Sequence, residues 1–362
     1  MADSKFPQST GGFWGVRTPF APSRCPFYYG WVIVFAATLG FVFSIPGQTI
    51  GFSVFTDVLI NELGLTRVEL SLSYCVGTVC SGLTLPWLGR VLDRWGERKM
   101  AVASVVATAL VLFGLAKVRV FSRALAQVLP AGMAAFGVIG LGFYLIRVAA
   151  QGVLSMTSQN AIGKWFDHKR GLAFALSGVV VSFAFSLAPH SLNKLIEWRG
   201  YGGAWSVMGI VTLIVMAPLA WLLFRDAPEE DGLKMDGATG KVKGTKNPDM
   251  QIHREFSRKE AVCDYSFWVF CITFSFYSLY ATAFTFHILS LGAEYNYDAD
   301  RILMLFVPIA AVSVSVNLLF GAINVRLRLK RLLFVMNLGC VLATTGLLFL
   351  DKTVGVAAYV IG

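Results

Sequence analysis

Charged residues in this chain are bunched, and between the bunches apolar side chains follow one another in long uninterrupted runs. Stretches free of Asp, Glu, Lys and Arg cover 25–56, 70–89, 100–116, 124–146, 171–193, 200–224, 265–293, 302–325 and 332–350. About 20 apolar residues rising ~1.5 Å each cross the ~30 Å hydrocarbon core of a bilayer, so these nine runs predict nine membrane-spanning helices. A tenth begins near Val354 and stops at Gly362. The pattern therefore predicts an all-α, polytopic membrane protein.

Composition removes the alternatives. At 56% hydrophobic and 14% charged, the chain lies far from the roughly 45–50% and 25% of soluble domains. Disorder, collagen-like repeats and a small disulfide scaffold are excluded on the same ground. The net charge of +10 sets orientation instead of suggesting a nucleic-acid partner. With a cytoplasmic amino terminus, 22 of the 31 basic residues fall on the cytoplasmic side and 8 on the other, leaving Arg147 inside a span. Basic loops are poorly translocated, so this bias supports that topology. The plasma membrane is the expected location. The six cysteines form no CxxC pair and no zinc-type Cys/His spacing, which implies neither a disulfide framework nor a metal or cofactor site. Residues 1–24 lack an apolar h-region, so they predict a disordered cytoplasmic tail or an organelle-targeting segment instead of a signal peptide.

Four segments follow: a cytoplasmic tail (1–27), a six-helix bundle (28–224), a cytoplasmic linker (225–262) and a second, incomplete bundle (263–362). The linker contains DAPEEDGLKMDGATGKVKGTKNPD, polar, Gly-rich and free of aromatics, which predicts flexibility. An internal repeat supports the division. GRVLDRWGERK (Gly89–Lys99) follows span two and GAINVRLRLKR (Gly321–Arg331) follows span eight. In each, Gly precedes an Arg by five positions (Arg94, Arg326) and a basic pair by nine and ten (Arg98 with Lys99, Lys330 with Arg331). Two six-helix halves related by an axis along the membrane normal are a known transporter plan, with the solute site near the midplane.

The first copy resembles the loop signature of the major facilitator superfamily, Gly-x-x-x-Asp-Arg-x-Gly-x-Arg-Lys, at Gly89, Asp93, Arg94, Gly96, Arg98 and Lys99. Arg147-x-x-x-Gln151-Gly152 is similar to that superfamily's fourth-helix signature. YYGWVIV (Tyr28–Val34), GKWFDHKRGLA (Gly163–Ala173) and RDAPEEDGL (Arg225–Leu233) resemble its oxalate/formate antiporter and monocarboxylate porter branches. The resemblance implies a two-bundle helical fold, here cut short within the tenth transmembrane helix, and secondary active transport by alternating access. It also implies a conformational latch at Asp93 and Arg94, with Arg170 or Lys169 as partners; the competing reading is a tight turn carrying topology-setting charge. Three departures stand out. Span eight has no charge where monocarboxylate relatives carry an acid and an arginine, Val325 replaces the second latch aspartate, and span five is poor in the Gly-Pro of antiporters.

Arg147 is the most informative single residue. An arginine at the centre of a span costs about 2.5–3.5 kcal/mol on insertion scales, so it should face protein or a wet cavity. Tyr144 and Gln151 sit three before and four after it, on nearly the same face, and Gly152 leaves room beside them. Two roles stay open: bidentate binding of an anion, or bonding to polar groups of span one near Pro46-Gly47. That break, with Ser44, Gln48 and Thr49, predicts a kink and a polar cavity wall, or a kink needed only for packing. His190 and His287 are candidate proton carriers because imidazole titrates near neutrality, or else wall residues near helix ends. Tyr74, Tyr277, Tyr280, Thr285 and Asn317 are candidate pathway-lining groups.

The chain has no GxxxxGK[ST] phosphate loop, no G-x-S-x-G elbow and no metal-ligand cluster, so no enzyme chemistry is expected. The expected function is secondary transport of a small organic solute, a monocarboxylate or related anion, coupled to protons or a counter-transported anion, by a monomer in the lipid bilayer. A neutral solute on the same scaffold, a transport-inactive or truncated membrane protein with a receptor-like or interaction role, and a membrane enzyme are the other readings.

Overall fold

The computed structural model describes residues 14–15, 18–237, 258–323 and 329–362. Every regular element among them is helical. The chain divides into two compact units, Met1–Gly240 and Lys241–Gly362.

In the first unit, α1 (Gly30–Phe43) is apolar all round and ends where Pro46 removes a backbone donor. A 3₁₀ turn (Ile45–Gly47) and extended Gln48 follow, before the short helix Thr49–Phe52. The 29-residue α2 (Arg67–Trp95) starts on a capping box in which the Glu69 N–H donates to Thr66 Oγ1 at 3.2 Å and the Thr66 N–H to Glu69 Oε2 at 2.7 Å. It stops at Gly96, whose φ of +83° an L side chain rarely adopts, and α3 (Glu97–Ala116) begins at once. Next comes α4 (Ala131–Trp165), α-helical at both ends and π-helical from Arg147 to Leu154.

The next helical run, α5 (Arg170–Leu223), contains 54 residues. At 1.5 Å per residue it would be roughly 80 Å long, far beyond the ~30 Å a span needs. Gly200, at φ +68° and ψ 171°, breaks it into two arms, 170–199 and 201–223. Eight long apolar helices among the described residues therefore account for the nine predicted spans.

The main core of this unit joins Tyr29, Ile33, Val105, Ile162, Trp165 and Phe224, all fully or almost fully buried. The Tyr29 hydroxyl donates to the Leu223 carbonyl at 2.9 Å, tying α1 to the end of α5. A second aromatic group, Phe52, Phe55, Phe143 and Trp205, packs with ring centroids of contacting pairs 4.7–6.0 Å apart.

The described parts of the tail and linker differ from the flexible segments expected. Residues 14–15, 18–28 and 225–237 are not loose; they pack across the helix ends of the first unit. Helix amino termini leave N–H groups without intrahelical acceptors, and the linker supplies acceptors. Asp226 accepts the Arg98 N–H of α3 at 2.9 Å, and Asp236 accepts the N–H groups of Asp167, His168 and Lys169 ahead of α5 at 2.7–3.1 Å. Between them, Asp231 accepts the Ser23 N–H at 2.6 Å and holds the tail. The rest of the linker, 238–257, and most of the second loop copy, 324–328 with Arg326 and Arg328, lie outside the described residues.

In the second unit, α6 (Tyr265–Phe286) is capped by Asp264, which accepts the Ser266 N–H at 2.6 Å. Two helices, Ala299–Met304 and Phe306–Ile323, form α7 across a one-residue interruption at Leu305. The helices α8 (Leu329–Leu347) and α9 (Thr353–Ile361) follow. The Tyr297 hydroxyl donates to the Leu350 carbonyl at 2.8 Å and fastens the α6–α7 connection to the turn after α8.

Candidate functional site

The break in α1 and the π segment of α4 meet. A Cβ on Gly47 would lie 2.7–2.9 Å from the Ile146 carbonyl, the Ala150 side chain and the Gln151 nitrogen, so only glycine allows this approach. Single π turns inside α-helices concentrate at functional sites because they shift side chains out of the α register. Around the break, the Ser44 hydroxyl donates to the Phe41 carbonyl at 2.7 Å, and Gln48 Nε2 donates to Ser44 Oγ at 3.1 Å and Ser155 Oγ at 3.5 Å.

At the start of the π segment stands Arg147, 6% exposed. Its Nη1 donates to the Tyr74 hydroxyl in a short bond, and its guanidinium carbon lies 4.9 Å from the centroid of the Tyr74 ring. The Tyr74 and Thr49 hydroxyls share a hydrogen bond of 2.8 Å. Arg147 Nε is buried and has no hydrogen-bond partner among the described residues. No Asp or Glu occurs between Glu69 and Asp93 or between Glu97 and Asp167. Neither α2 nor α4 can therefore bring a carboxylate to this depth. Among the described residues, the arrangement is a desolvated cation hydrogen-bonded to a phenol, an environment that favours an anion if one can enter.

Among the expected pathway residues, the structure brings Thr49, Tyr74 and Arg147 into one chain of contacts, with Gln48 and Gln151 flanking it. Gln151 is half-buried within the π segment. Tyr144 departs from its expected place beside Arg147. Its hydroxyl bonds Thr84 Oγ1 at 3.1 Å, and it lines a separate groove of about 560 Å³ between α2 and α4 with Ser73, Gly77, Cys80 and Gly140. Ser155 and Thr84 were not singled out from sequence. Ser155 lies just beyond the π segment, where spacing counted from Arg147 on a regular helix no longer holds, so periodicity does not mark it.

His190 follows Pro189 within α5 and is half-buried. The second unit's candidates are described on their own. Tyr277 is exposed, and Tyr280 packs on Phe284 with ring centroids 4.6 Å apart. His287 closes α6 by donating its N–H to the Ala283 carbonyl, with its ring 5.2 Å from Phe286. Thr285 lies in the last turn of α6. Asn317 is on α7, and its side chain lies outside the described residues.

The loop motif splits into two groups. A Cβ on Gly96 would meet the Asp226 carboxylate at 2.5 Å. Arg98, 3% exposed, donates to the carbonyls of Trp221 (2.7 Å), Gly15 (3.1 Å) and Thr18 (2.7 Å). These two residues hold tail and linker against the bundle. Asp93, Arg94 and Lys99 are exposed, and Gly89 is half-buried near Met156. Of the expected partners of Asp93, Arg170 donates its guanidinium to the carbonyls of Phe166 and Gly163 at 3.0 and 2.9 Å.

Comparison with known proteins adds one finding. The family model described as Major Facilitator Superfamily matches residues 31–362. No curated protein matches the chain.

Proposed function

We propose that this chain, which belongs to the Major Facilitator Superfamily and is therefore a secondary transporter in an integral multi-pass membrane protein, carries a small organic anion of the monocarboxylate type. One observation supports the reading: Arg147 is buried beside Tyr74 with an unpartnered Nε and no carboxylate within its span or the facing one. A buried guanidinium presents parallel N–H donors that match a carboxylate's two oxygens, and a dry setting strengthens the pair. Tyr74 and Thr49 would hold the guanidinium's aromatic side, leaving its other edge for the solute. Access alternates between the two membrane faces. Exposed Asp93 and Arg94 form the conformational latch, and His190 and His287 are the candidates for proton coupling. The amino terminus is cytoplasmic, the host is the plasma membrane and the working form is a monomer.

The test is uptake into proteoliposomes of labelled short carboxylates, other anions and uncharged amide analogues, with and without a pH gradient. Saturable carboxylate uptake, inhibited by unlabelled carboxylates and not by the amides, is expected. Equal uptake of acid and amide would remove the anion assignment and leave a neutral-solute carrier.

A further inference from the structure

A second recess lies apart from Arg147, on α3 at the end that carries the basic loop. It encloses about 710 Å³ and is bordered by Trp14 of the tail, Trp95 at the end of α2 and Lys99 of α3. Its floor is apolar, with Ala103, Val106 and Leu110 following Lys99 along one stripe of the helix. The opposite stripe, Ala101, Val105, Ala109 and Leu112, is completely buried in the bundle.

From this geometry we propose that the recess binds one anionic glycerophospholipid of the adjoining leaflet. Three features favour that occupant. The first is charge: Lys99 is the exposed cation at the mouth, whereas neighbouring Arg98 is buried and spends its donors on three carbonyls. An ammonium is a strongly hydrated point charge, suited to a phosphate at the membrane surface. The second is depth. From Lys99 to Leu110 the helix advances eleven residues, or roughly 16 Å, about half of the ~30 Å hydrocarbon core and hence one leaflet. The third is construction. Indole rings settle at the membrane–water boundary, and here two of them border the mouth. Trp14 belongs to no span; Arg98 holds the neighbouring carbonyls of Gly15 and Thr18, and its guanidinium lies 6.0 Å from the Trp14 ring. The recess therefore has a wall that a bare lipid-facing helix lacks.

The experiment uses the protein in phosphatidylcholine vesicles, titrated with phosphatidylglycerol or phosphatidylcholine carrying brominated acyl chains, with tryptophan quenching as the readout. The contributions of Trp14 and Trp95 are isolated by subtracting Trp14→Phe and Trp95→Phe. Phosphatidylglycerol should quench these two at about fivefold lower mole fraction than phosphatidylcholine, the advantage of one lysine near the surface. Lys99→Gln should erase the preference and Lys99→Arg retain it. Ala103→Phe, which fills the floor and leaves the charge, should weaken quenching by both lipids. Equal quenching by the two headgroups in the wild type, or a preference that survives Lys99→Gln, would overturn the proposal. So would failure of either lipid to quench Trp14, which would mean that protein, not lipid, covers this face.

Discussion

Of the three arginines buried in the first unit, Arg98 at 3% and Arg147 at 6% exposure have opposite surroundings. Arg98 donates to three main-chain carbonyls, and its guanidinium lies 5.0 Å from the Trp221 ring. Arg147 has the phenol of Tyr74 and an unpartnered Nε. Burying a guanidinium is costly unless its donors are met. Arg98 meets that cost with three backbone oxygens, so its role is complete within the fold. Arg147 leaves part of its cost unmet among the described residues, and the anion proposed above would meet it.

The sharpest way to break this contrast is to neutralise each arginine and measure both activity and stability. Arg147→Gln should lower carboxylate uptake by about 30-fold or more, since losing one partner of a desolvated charge pair costs about 2–5 kcal/mol. In the absence of solute its thermal unfolding temperature should hold or rise, because a buried, under-bonded charge has been removed. Arg98→Gln should do the reverse, lowering stability by about 2–3 kcal/mol as the charge-assisted bonds that join the tail and α5 to α3 are lost. Should Arg147→Gln unfold the protein as readily as Arg98→Gln, Arg147 would be a structural group as well.

Tyr74→Phe sharpens the same comparison at smaller amplitude. It keeps the ring beneath Arg147 and removes the hydroxyl that links Arg147 to Thr49. Solute affinity should fall by about 1–2 kcal/mol, roughly 5- to 30-fold, read from the half-saturating uptake concentration. A larger loss in maximal rate than in affinity would assign the hydroxyl to the conformational step.

The smallest effect concerns the linker. Burial raises the Asp236 pKa, but the N–H groups of His168, Lys169 and Asp167 together hold its carboxyl below the ordinary value near 3.8. The folded form therefore gains stability from the ionised group above about pH 4, and loses it as pH falls through the depressed value. Asp236→Asn keeps an acceptor and removes the charge at the start of α5, so it should cost about 0.5–1 kcal/mol at neutral pH. In detergent, the stability gap between variant and wild type should be constant from pH 7 to about pH 5 and close below about pH 4. A gap independent of pH into the acid range would mean that the charge adds nothing to the cap.

Parts of this architecture were legible in residue order. The charge-free runs mark the spans because the bilayer penalises any ionised side chain wherever it is placed. The pattern GRVLDRWGERK marks the loop because a reversal this tight requires a glycine at Gly96. The isolated charge at Arg147 identifies the site's centre for the same energetic reason that makes it rare. The order of the linker was less visible. DAPEEDGLKMD carries aspartates at 226, 231 and 236, yet its composition is that of a flexible segment, and only the nearby helix ends turn Asp226 and Asp236 into caps while the tail engages Asp231.

Periodicity misplaced Tyr144, which goes to Thr84 on α2 and not to Arg147. Helical spacing states which residues share a face of one helix and does not state which neighbouring helix each side chain meets; here Thr84 of α2 supplies the partner. What residue order determined by itself was set by solvent: apolar length, charge placement and turn chemistry depend on water and lipid, which every copy of the sequence meets. Tertiary structure alone decided which buried donors are satisfied. Arg98 and Arg147 are the same side chain, and whether each finds an acceptor depends on atoms brought near it from distant parts of the chain.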